Sequence, residues 1–148
     1  MYGFQNEDFL KTLNGAVAQI GEINRIADKV SDLGYKNIYL VGTGGTYAII
    51  SPLAYMLNTN SALVWYHEIA AELLAAKPRS LTKDSLFITA SLSGTTKETI
   101  AAAEYARSMG ATVISFVGDR TAPLAAVSDY VVENAACNDN LVEELHIQ

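Results

Sequence analysis

The sequence is poor in cysteine, proline and basic residues, with one cysteine, three prolines and 10 lysines and arginines against 16 acidic residues in 148. A single thiol, Cys137, forms no internal disulfide and no set of thiolate ligands, so we predict a reducing, cytoplasmic setting and no metal site. The net charge of −6 and the scattered basic residues argue against nucleic-acid binding.

Long apolar runs are also missing from the sequence. No stretch approaches the roughly 18 apolar residues of a membrane span, and residues 1–10 lack a basic segment followed by an apolar one. We therefore predict neither membrane insertion nor export. Half of the residues are nevertheless hydrophobic and 18% are charged, which is the composition of a folded domain with one core.

The first 35 residues carry a helical pattern that Gly34 ends. Gly15 and Gly21 each cost about 1 kcal/mol relative to alanine, so a break or a close packing contact near them is compatible with the pattern. We predict that this helix packs on the rest of the domain. The apolar residues that define its face are Phe9, Leu13, Val17, Ile20, Ile23, Ile26, Ala27, Val30 and Leu33.

From residue 36 to 136, buried strands alternate with helical segments, and this alternation predicts a parallel sheet. Continuous apolar strands such as Ile38–Val41 require helices on both faces. We predict an α/β fold, a three-layer αβα sandwich with five parallel strands in the order 2-1-3-4-5. The predicted strands are 37–41, 62–66, 85–90, 112–117 and 130–133, and the predicted helices are 46–57, 69–75, 97–109 and 122–127.

The end of the chain, residues 137–148, has the pattern of a capped helix that stops before the pattern is complete. We expect it to be the start of a C-terminal helix in a longer protein with two such domains.

A glycine-rich segment, Val41-Gly42-Thr43-Gly44-Gly45-Thr46-Tyr47, lies where the first strand passes into a helix. Ligands bind at such strand ends in parallel sheets. A dinucleotide fingerprint would need a third glycine at position 47, where this chain has tyrosine, so nicotinamide or flavin binding loses support. The alternative is a tight turn that uses glycine for its backbone angles alone.

A second segment, Ser91 to Thr99, lies at the end of the third strand and carries four hydroxyl side chains within six residues. Together with Gly94 and a helix N-terminus, they offer O–H groups, backbone N–H groups and the positive end of a helix dipole to one anion. The segment therefore predicts a phosphate site. The alternative is an ordinary capping box formed by Thr95 and Glu98.

Both segments are predicted to face one pocket, because the ends of strands one and three flank the switch point of a 2-1-3-4-5 sheet. Neither segment has the lysine of a nucleoside-triphosphate loop, and no G-x-S-x-G elbow surrounds Ser91 or Ser93. We predict no cofactor.

Three sequence features together resemble the SIS (sugar isomerase) domain, over residues 36–134: Val41-Gly42-x-Gly44-x-Thr46, Ala71-Glu72-Leu73 and Ser91-x-Ser93-Gly94-x-Thr96-x-Glu98. The long leading helix is similar to that of fructosamine-6-phosphate deglycases and of the isomerase part of glucosamine-6-phosphate synthase. The resemblance implies a flavodoxin-like fold and a phosphorylated sugar or fructosamine as ligand. The phosphate-binding residues that it implies are Ser91, Ser93, Gly94, Thr95 and Thr96, and the sugar-binding residues are Gly42, Thr43, Gly44, Gly45, Thr46 and Glu98.

Two positions depart from the family pattern. Thr46 stands where the family often has serine, which keeps the hydroxyl, and Leu92 stands where the synthase has a polar residue, which removes a sugar contact. The chain also has one serine loop where two-domain members have two. The resemblance therefore implies that a second SIS domain or a second copy of this chain completes the active site.

Moving a proton beside a carbonyl or imine carbon requires a base, usually glutamate or histidine. His67, Glu68 and Glu72, placed just after the second predicted strand, are the candidates, although each has the alternative of a structural or solvated side chain. Our first hypothesis is half of a sugar-phosphate isomerase or deglycase, and our second is a non-catalytic sugar-phosphate sensor of a regulator. We expect a homodimer through the alanine-rich helix that contains Ala101, Ala102, Ala103 and Ala106.

Overall fold

A computed structural model of the chain describes residues 6–134. Within this range, five parallel strands form one sheet in the order β2-β1-β3-β4-β5, which confirms the predicted fold. The strands are β1 Asn37–Gly42, β2 Val64–Ile69, β3 Ser85–Ser91, β4 Thr112–Val117 and β5 Tyr130–Glu133. The helices are α1 Asn6–Ala18, α2 Ile20–Leu33, α3 Gly45–Asn60, α4 Ala70–Ala76, α5 Lys97–Ser108 and α6 Pro123–Ala126.

Both faces of the sheet are covered because the central strands are apolar on both sides. On one face, Tyr39 and Phe87 are buried in a core formed with α4, α5 and α6. On the other face, Leu40 packs with Ile26 of α2 and Ile50 of α3. The burial of successive residues of β1 on opposite faces is the consequence of the two-residue period of a strand.

The small side chains of α5 serve the domain itself. Ala102, Ala103 and Ala106 are fully buried in the core between α5 and the sheet. The homodimer contact predicted through these alanines is therefore wrong in its location, because the alanine face of the helix is already occupied. Small residues here allow α5 to lie close to the sheet and to α4.

The predicted N-terminal helix is two helices that break at Gln19. The Gln19 side-chain amide donates a hydrogen bond of 2.5 Å to the carbonyl of Glu133, at the end of β5. In α2, Ile26 and Val30 are buried against the sheet, whereas Leu13 and Val17 of α1 are largely exposed. Helix α2 thus packs on the sheet through Ile26 and Val30, while Leu13 and Val17 give α1 exposed apolar side chains, and the packing of residues 1–35 as one unit stays a prediction. The segment predicted at 137–148, with Cys137, lies outside the described residues.

Strand β2 differs from its predicted range of 62–66, since it begins at Val64 and continues to Ile69. The register with β1 pairs Leu40 with His67 and Val41 with Glu68, so both polar residues lie within the strand and not after it. The strand tolerates them because β2 is at the edge of the sheet, where its side chains stay partly exposed.

Across residues 6–134, none of the helices combines the length and apolar character that crossing a membrane requires.

Candidate functional site

The two predicted loops meet at the point where the chain crosses to opposite faces of the sheet. Strand β1 leads into α3 on one face, and its neighbour β3 leads into α5 on the other. The hydroxyl oxygens of Thr43, after β1, and Thr99, in the first turn of α5, lie 3.2 Å apart. A direct hydrogen bond therefore joins the glycine loop, residues 42–46, to the helix that follows the serine loop, residues 91–96.

The glycine loop turns sharply into α3. A Cβ on Gly42 would lie 2.5 Å from the backbone nitrogen of Tyr47, so only glycine fits beneath the first turn of the helix. Gly44 has a φ of 57°, in the left-handed region that favours glycine. The Thr46 hydroxyl accepts a hydrogen bond from the Thr43 N–H (3.0 Å) and donates one to the Thr43 carbonyl (2.9 Å). Thr46 therefore holds the loop closed, while the backbone at Gly44 stays exposed.

Ser91 forms the base of the serine loop. It is the last residue of β3 and is buried, and its hydroxyl oxygen accepts a hydrogen bond from the Gly94 N–H (3.1 Å). The same oxygen lies 3.1 Å from the Thr96 hydroxyl. Gly94 has a φ of 62°, which lets the chain reverse above Ser91. The buried Ser91 hydroxyl thus stabilises the conformation of the serine loop.

Ser93 and Thr95 form the exposed rim of the serine loop. The Ser93 oxygen accepts a hydrogen bond from the Thr95 N–H (3.3 Å) and another from the Thr95 hydroxyl (3.0 Å). Because this oxygen accepts twice, its own O–H group is available to donate outward to a ligand.

Helix α5 presents its N-terminus to the same place. The N-cap is Thr96, whose side chain makes no capping bond, so the alternative of a Thr95–Glu98 capping box is wrong. The first backbone bond into the helix runs from the Ile100 N–H to the Thr96 carbonyl (3.0 Å). The preceding N–H groups of α5 therefore have no helical carbonyl to bond. With the dipole of a 12-residue helix behind them, they favour an anion.

Two of the three candidate bases lie on strand β2 and the third lies on helix α4. The His67 ring stacks on Tyr47, with 3.9 Å between ring centroids, and its Nε2 lies 3.1 Å from the Tyr47 carbonyl oxygen. Glu68 is the next residue along the strand and points to the opposite face. Glu72 lies in the first turn of α4 and is exposed. The structure thus places His67 and Glu68 on opposite faces of β2, and the role of the three residues as base stays a prediction.

An apolar cavity of about 440 Å³ begins at Thr46 and Ser91 and extends between α3 and the N-terminal helices. The sequence analysis missed it. Ile49 and Leu53, one helical turn apart on α3, form one wall, and Leu92 and Phe116 form another. All four are at least partly exposed, and Ile49 is 77% exposed. The spacing of Ile49 and Leu53 is the sequence signal that could have indicated this apolar surface.

Comparison with known proteins identifies the family of this chain. The family model of the SIS domain matches residues 34–140, and the chain belongs to this family. Fructosamine deglycase FrlB of Bacillus subtilis (strain 168) is 34% identical over 98 residues, which are 66% of this chain and 30% of that protein. Residues 34–140 include both the glycine loop and the serine loop of this chain.

Two solved structures are similar in fold. A candidate phosphosugar isomerase from Salmonella typhimurium LT2 is 33% identical with a TM-score of 0.71, over 74% of this chain and 33% of that one. The sugar isomerase domain of the RpiR transcription factor from Sphaerobacter thermophilus, 20% identical, has a TM-score of 0.65 over 86% of this chain and 70% of that one; it shows the fold alone. The chain spans about a third of the length of the deglycase and of the Salmonella protein.

Proposed function

We propose that this chain is the phosphosugar-binding half of a sugar-phosphate isomerase or of a fructosamine-6-phosphate deglycase. The observation that carries the proposal is the exposed rim of the serine loop beside the N-terminus of α5. There, the exposed residues Ser93 and Thr95 directly precede the first N–H groups of the helix. A net charge of −6 is no obstacle, because these donors bind an anion without a fixed cation.

In this proposal the phosphate contacts the Ser93 hydroxyl and the Thr96 backbone directly, while Thr95 orients Ser93 through its own hydroxyl. Ser91 and Gly94 hold the loop in the shape that the phosphate needs, since the Ser91 oxygen is already bonded within the loop. The open-chain sugar then extends along the glycine loop, with the exposed backbone at Gly44 and Gly45 as polar contacts, and Glu98 next to it. The side chain of Thr43 stays bonded to Thr99 and fixes the distance between the two loops.

The reaction that this arrangement serves is proton transfer at an open-chain sugar. A base takes a proton from the carbon beside a carbonyl or imine, and the proton returns to the neighbouring carbon or heteroatom. His67, Glu68 and Glu72 are the residues of this chain proposed for that step. Within residues 6–134, none of them hydrogen-bonds to the serine loop, so we propose that a second SIS unit completes the active site.

Calorimetry with glucose 6-phosphate and with glucose tests the binding site. We expect binding of the phosphate ester and no measurable binding of glucose. The double variant Ser93→Ala and Thr95→Val removes the Ser93 donor and the Thr95 hydroxyl that orients it, and should weaken affinity by about tenfold or more. The matched control, Thr59→Val with Ser108→Ala, removes two exposed hydroxyls elsewhere and should leave affinity unchanged. Equal affinity for the sugar with and without phosphate would contradict the proposal.

Turnover is tested separately, by incubating the chain with fructosamine 6-phosphates and hexose 6-phosphates and following the products by NMR. Exchange of the carbon-bound proton with solvent deuterium would support the enzyme. Binding without any exchange would favour the second candidate, a sugar-phosphate sensor.

The sensor is favoured by one observation, the position of His67 and Glu68 on opposite faces of β2. A sensor needs the phosphate site and no base. In that case glucose 6-phosphate would change the assembly state of the protein without being converted.

We also propose a second copy of this chain as the second SIS unit, and the cytoplasm as its location, in keeping with a single cysteine. Because the alanines of α5 are buried, the apolar side chains beside the serine loop, Ile49, Leu53 and Phe116, are the better candidates for the contact. Light scattering at tens of micromolar should show a dimer, and a monomer at that concentration would contradict this assignment.

A further inference from the structure

The turn between β4 and α6, residues 118–122, and the start of α6 are bonded to the serine loop at two points. The Gly118 N–H donates to the Leu92 carbonyl (2.9 Å), and the Leu124 N–H, just after the turn, donates to the Gly94 carbonyl (3.0 Å). These bonds hold the backbone of the loop on both sides of Ser93, whose hydroxyl faces solvent. The backbone of the turn therefore determines where the exposed rim of the loop lies.

Contact between the turn and the loop leaves no room for additional atoms. A Cβ on Gly94 would overlap the Cβ of Ala122, and one on Gly118 would lie 2.5 Å from the Leu92 carbonyl oxygen. Gly94 is buried in spite of its place in a surface loop, because Ala122 lies directly against it. A larger side chain at 122 would have to push the serine loop outward.

The turn is itself held in shape by one carboxylate. An Asp119 side-chain oxygen accepts hydrogen bonds from the N–H of Thr121 (2.7 Å) and from its hydroxyl (2.8 Å). The Asp119 carbonyl accepts a further bond from the Ala122 N–H (3.1 Å). Asp119 thus fixes the position of Ala122 relative to the end of β4.

A pair of ion contacts anchors the same turn to the rest of the domain. The Arg120 guanidinium lies 3.1 Å from a carboxylate oxygen of Glu22 on α2 and 3.2 Å from one of Glu133 on β5. All three side chains are partly exposed, so each contact alone contributes little. Together they tie the turn to α2 and to strand β5 of the sheet.

We propose that Asp119 and Ala122 are positioning residues for the ligand phosphate, although neither touches it. This inference rests on the proposed function of the serine loop. Hydrogen bonds to phosphate are effective only over a few tenths of an ångström, so displacing Gly94 misplaces the donors on both sides of it. Position 122 then requires a small side chain because it lies against Gly94 of the serine loop.

The first test compares Ala122→Val with Ala125→Val, the same change three residues further along the chain, within α6. Both should lower stability, because both positions are buried. We expect only Ala122→Val to raise the Kd for glucose 6-phosphate, by about tenfold or more, as when one or two hydrogen bonds to a charged group are lost. Equal effects of the two variants on Kd would overturn the proposal.

A second test compares two changes at Asp119. Asp119→Asn keeps an acceptor for both groups of Thr121, whereas Asp119→Ala removes it. Affinity should therefore survive in the asparagine variant and fall in the alanine variant. Equal loss in both variants would show that the charge, and not the geometry of the turn, affects the ligand, and would overturn the positioning role.

Amide chemical shifts in the absence of ligand separate failure of this inference from failure of the proposed function. If the wild type does not bind glucose 6-phosphate, the proposed function is wrong, but displacement of the loop can still be measured. Ala122→Val should shift the backbone amide signals of Gly94 and Thr95, and Ala125→Val should leave them in place. Unchanged signals in Ala122→Val would overturn the inference whatever the ligand does.

Discussion

Thr99 makes the hydrogen bond between the two loops of the site, and replacing it by valine tests whether that bond holds them together. Thr99 is buried, and its oxygen lies 3.2 Å from that of Thr43. Valine has nearly the same shape, so the variant removes the bond and little else. A hydroxyl hydrogen bond contributes about 1 kcal/mol net. Because Thr43 is only partly buried and water can reach it, we expect a loss of about 1 kcal/mol and not more.

Thr89 supplies the matched control. It is a threonine on β3 with no exposed surface, and its hydroxyl has no hydrogen-bond partner within the part of the chain that the structure describes. A buried hydroxyl without a partner costs about 1–3 kcal/mol. Thr89→Val removes that cost and should raise the free energy of unfolding by about 1 kcal/mol. The same chemical change thus has opposite signs at positions 89 and 99.

Urea unfolding followed by circular dichroism measures both effects, with equal m-values as evidence that the unfolded surface is unchanged. A neutral Thr99→Val would show that the loops are not coupled through this bond. Destabilisation by Thr89→Val would show that its hydroxyl is satisfied, for instance by a buried water, and would refute our reasoning about the core.

Three further predictions use matched pairs or pH. Phe87→Ala should lower the free energy of unfolding by about 3–5 kcal/mol in urea titrations because Phe87 is fully buried. Phe116→Ala should lower it clearly less, because Phe116 is 40% exposed. Equal losses in the two variants would contradict the assigned core. Gly42→Ala should destabilise the protein by about 1–3 kcal/mol because the added Cβ clashes with α3. Gly21→Ala, in open space on α2, should stabilise it by up to about 1 kcal/mol. Thermal unfolding measures both effects, and the reverse order would contradict the loop geometry. Hydrogen bonds from the backbone N–H of Thr121, and then from its side chain, lower the pKa of Asp119. The stabilising effect of Asp119 should therefore be present above the unfolded pKa of about 3.9 and be lost as the pH falls through the lower folded pKa. If Asp119→Ala still changed the free energy of unfolding well below that range, the result would contradict this prediction.

The sheet and the positions of the loops could be predicted from local sequence patterns. Continuous apolar segments such as Ile38–Val41 specify strands buried on both faces, and a glycine or serine cluster after such a strand marks a loop at the ligand-binding edge. These patterns depend on residues close together in the chain, and for that reason they can be recognised from the sequence alone.

The features that were missed depend on contacts between distant residues. Strand β2 continues through His67 because β1 pairs with it, a tertiary effect that overrides the polar character of the segment. The bond between Thr43 and Thr99 joins residues 56 positions apart, and no local pattern indicates it. Burial of the Ser91 hydroxyl likewise follows from the φ of Gly94, which the sequence alone does not specify.

Amide NMR titration of the isotopically labelled chain tests the central claim most directly. Glucose 6-phosphate should shift the backbone N–H signals of Gly94, Thr95 and Lys97, the serine loop and the start of α5, while glucose at the same concentration should leave them unchanged. Shifts confined to residues away from these loops, or equal shifts with the two sugars, would contradict a phosphate site at the N-terminus of α5.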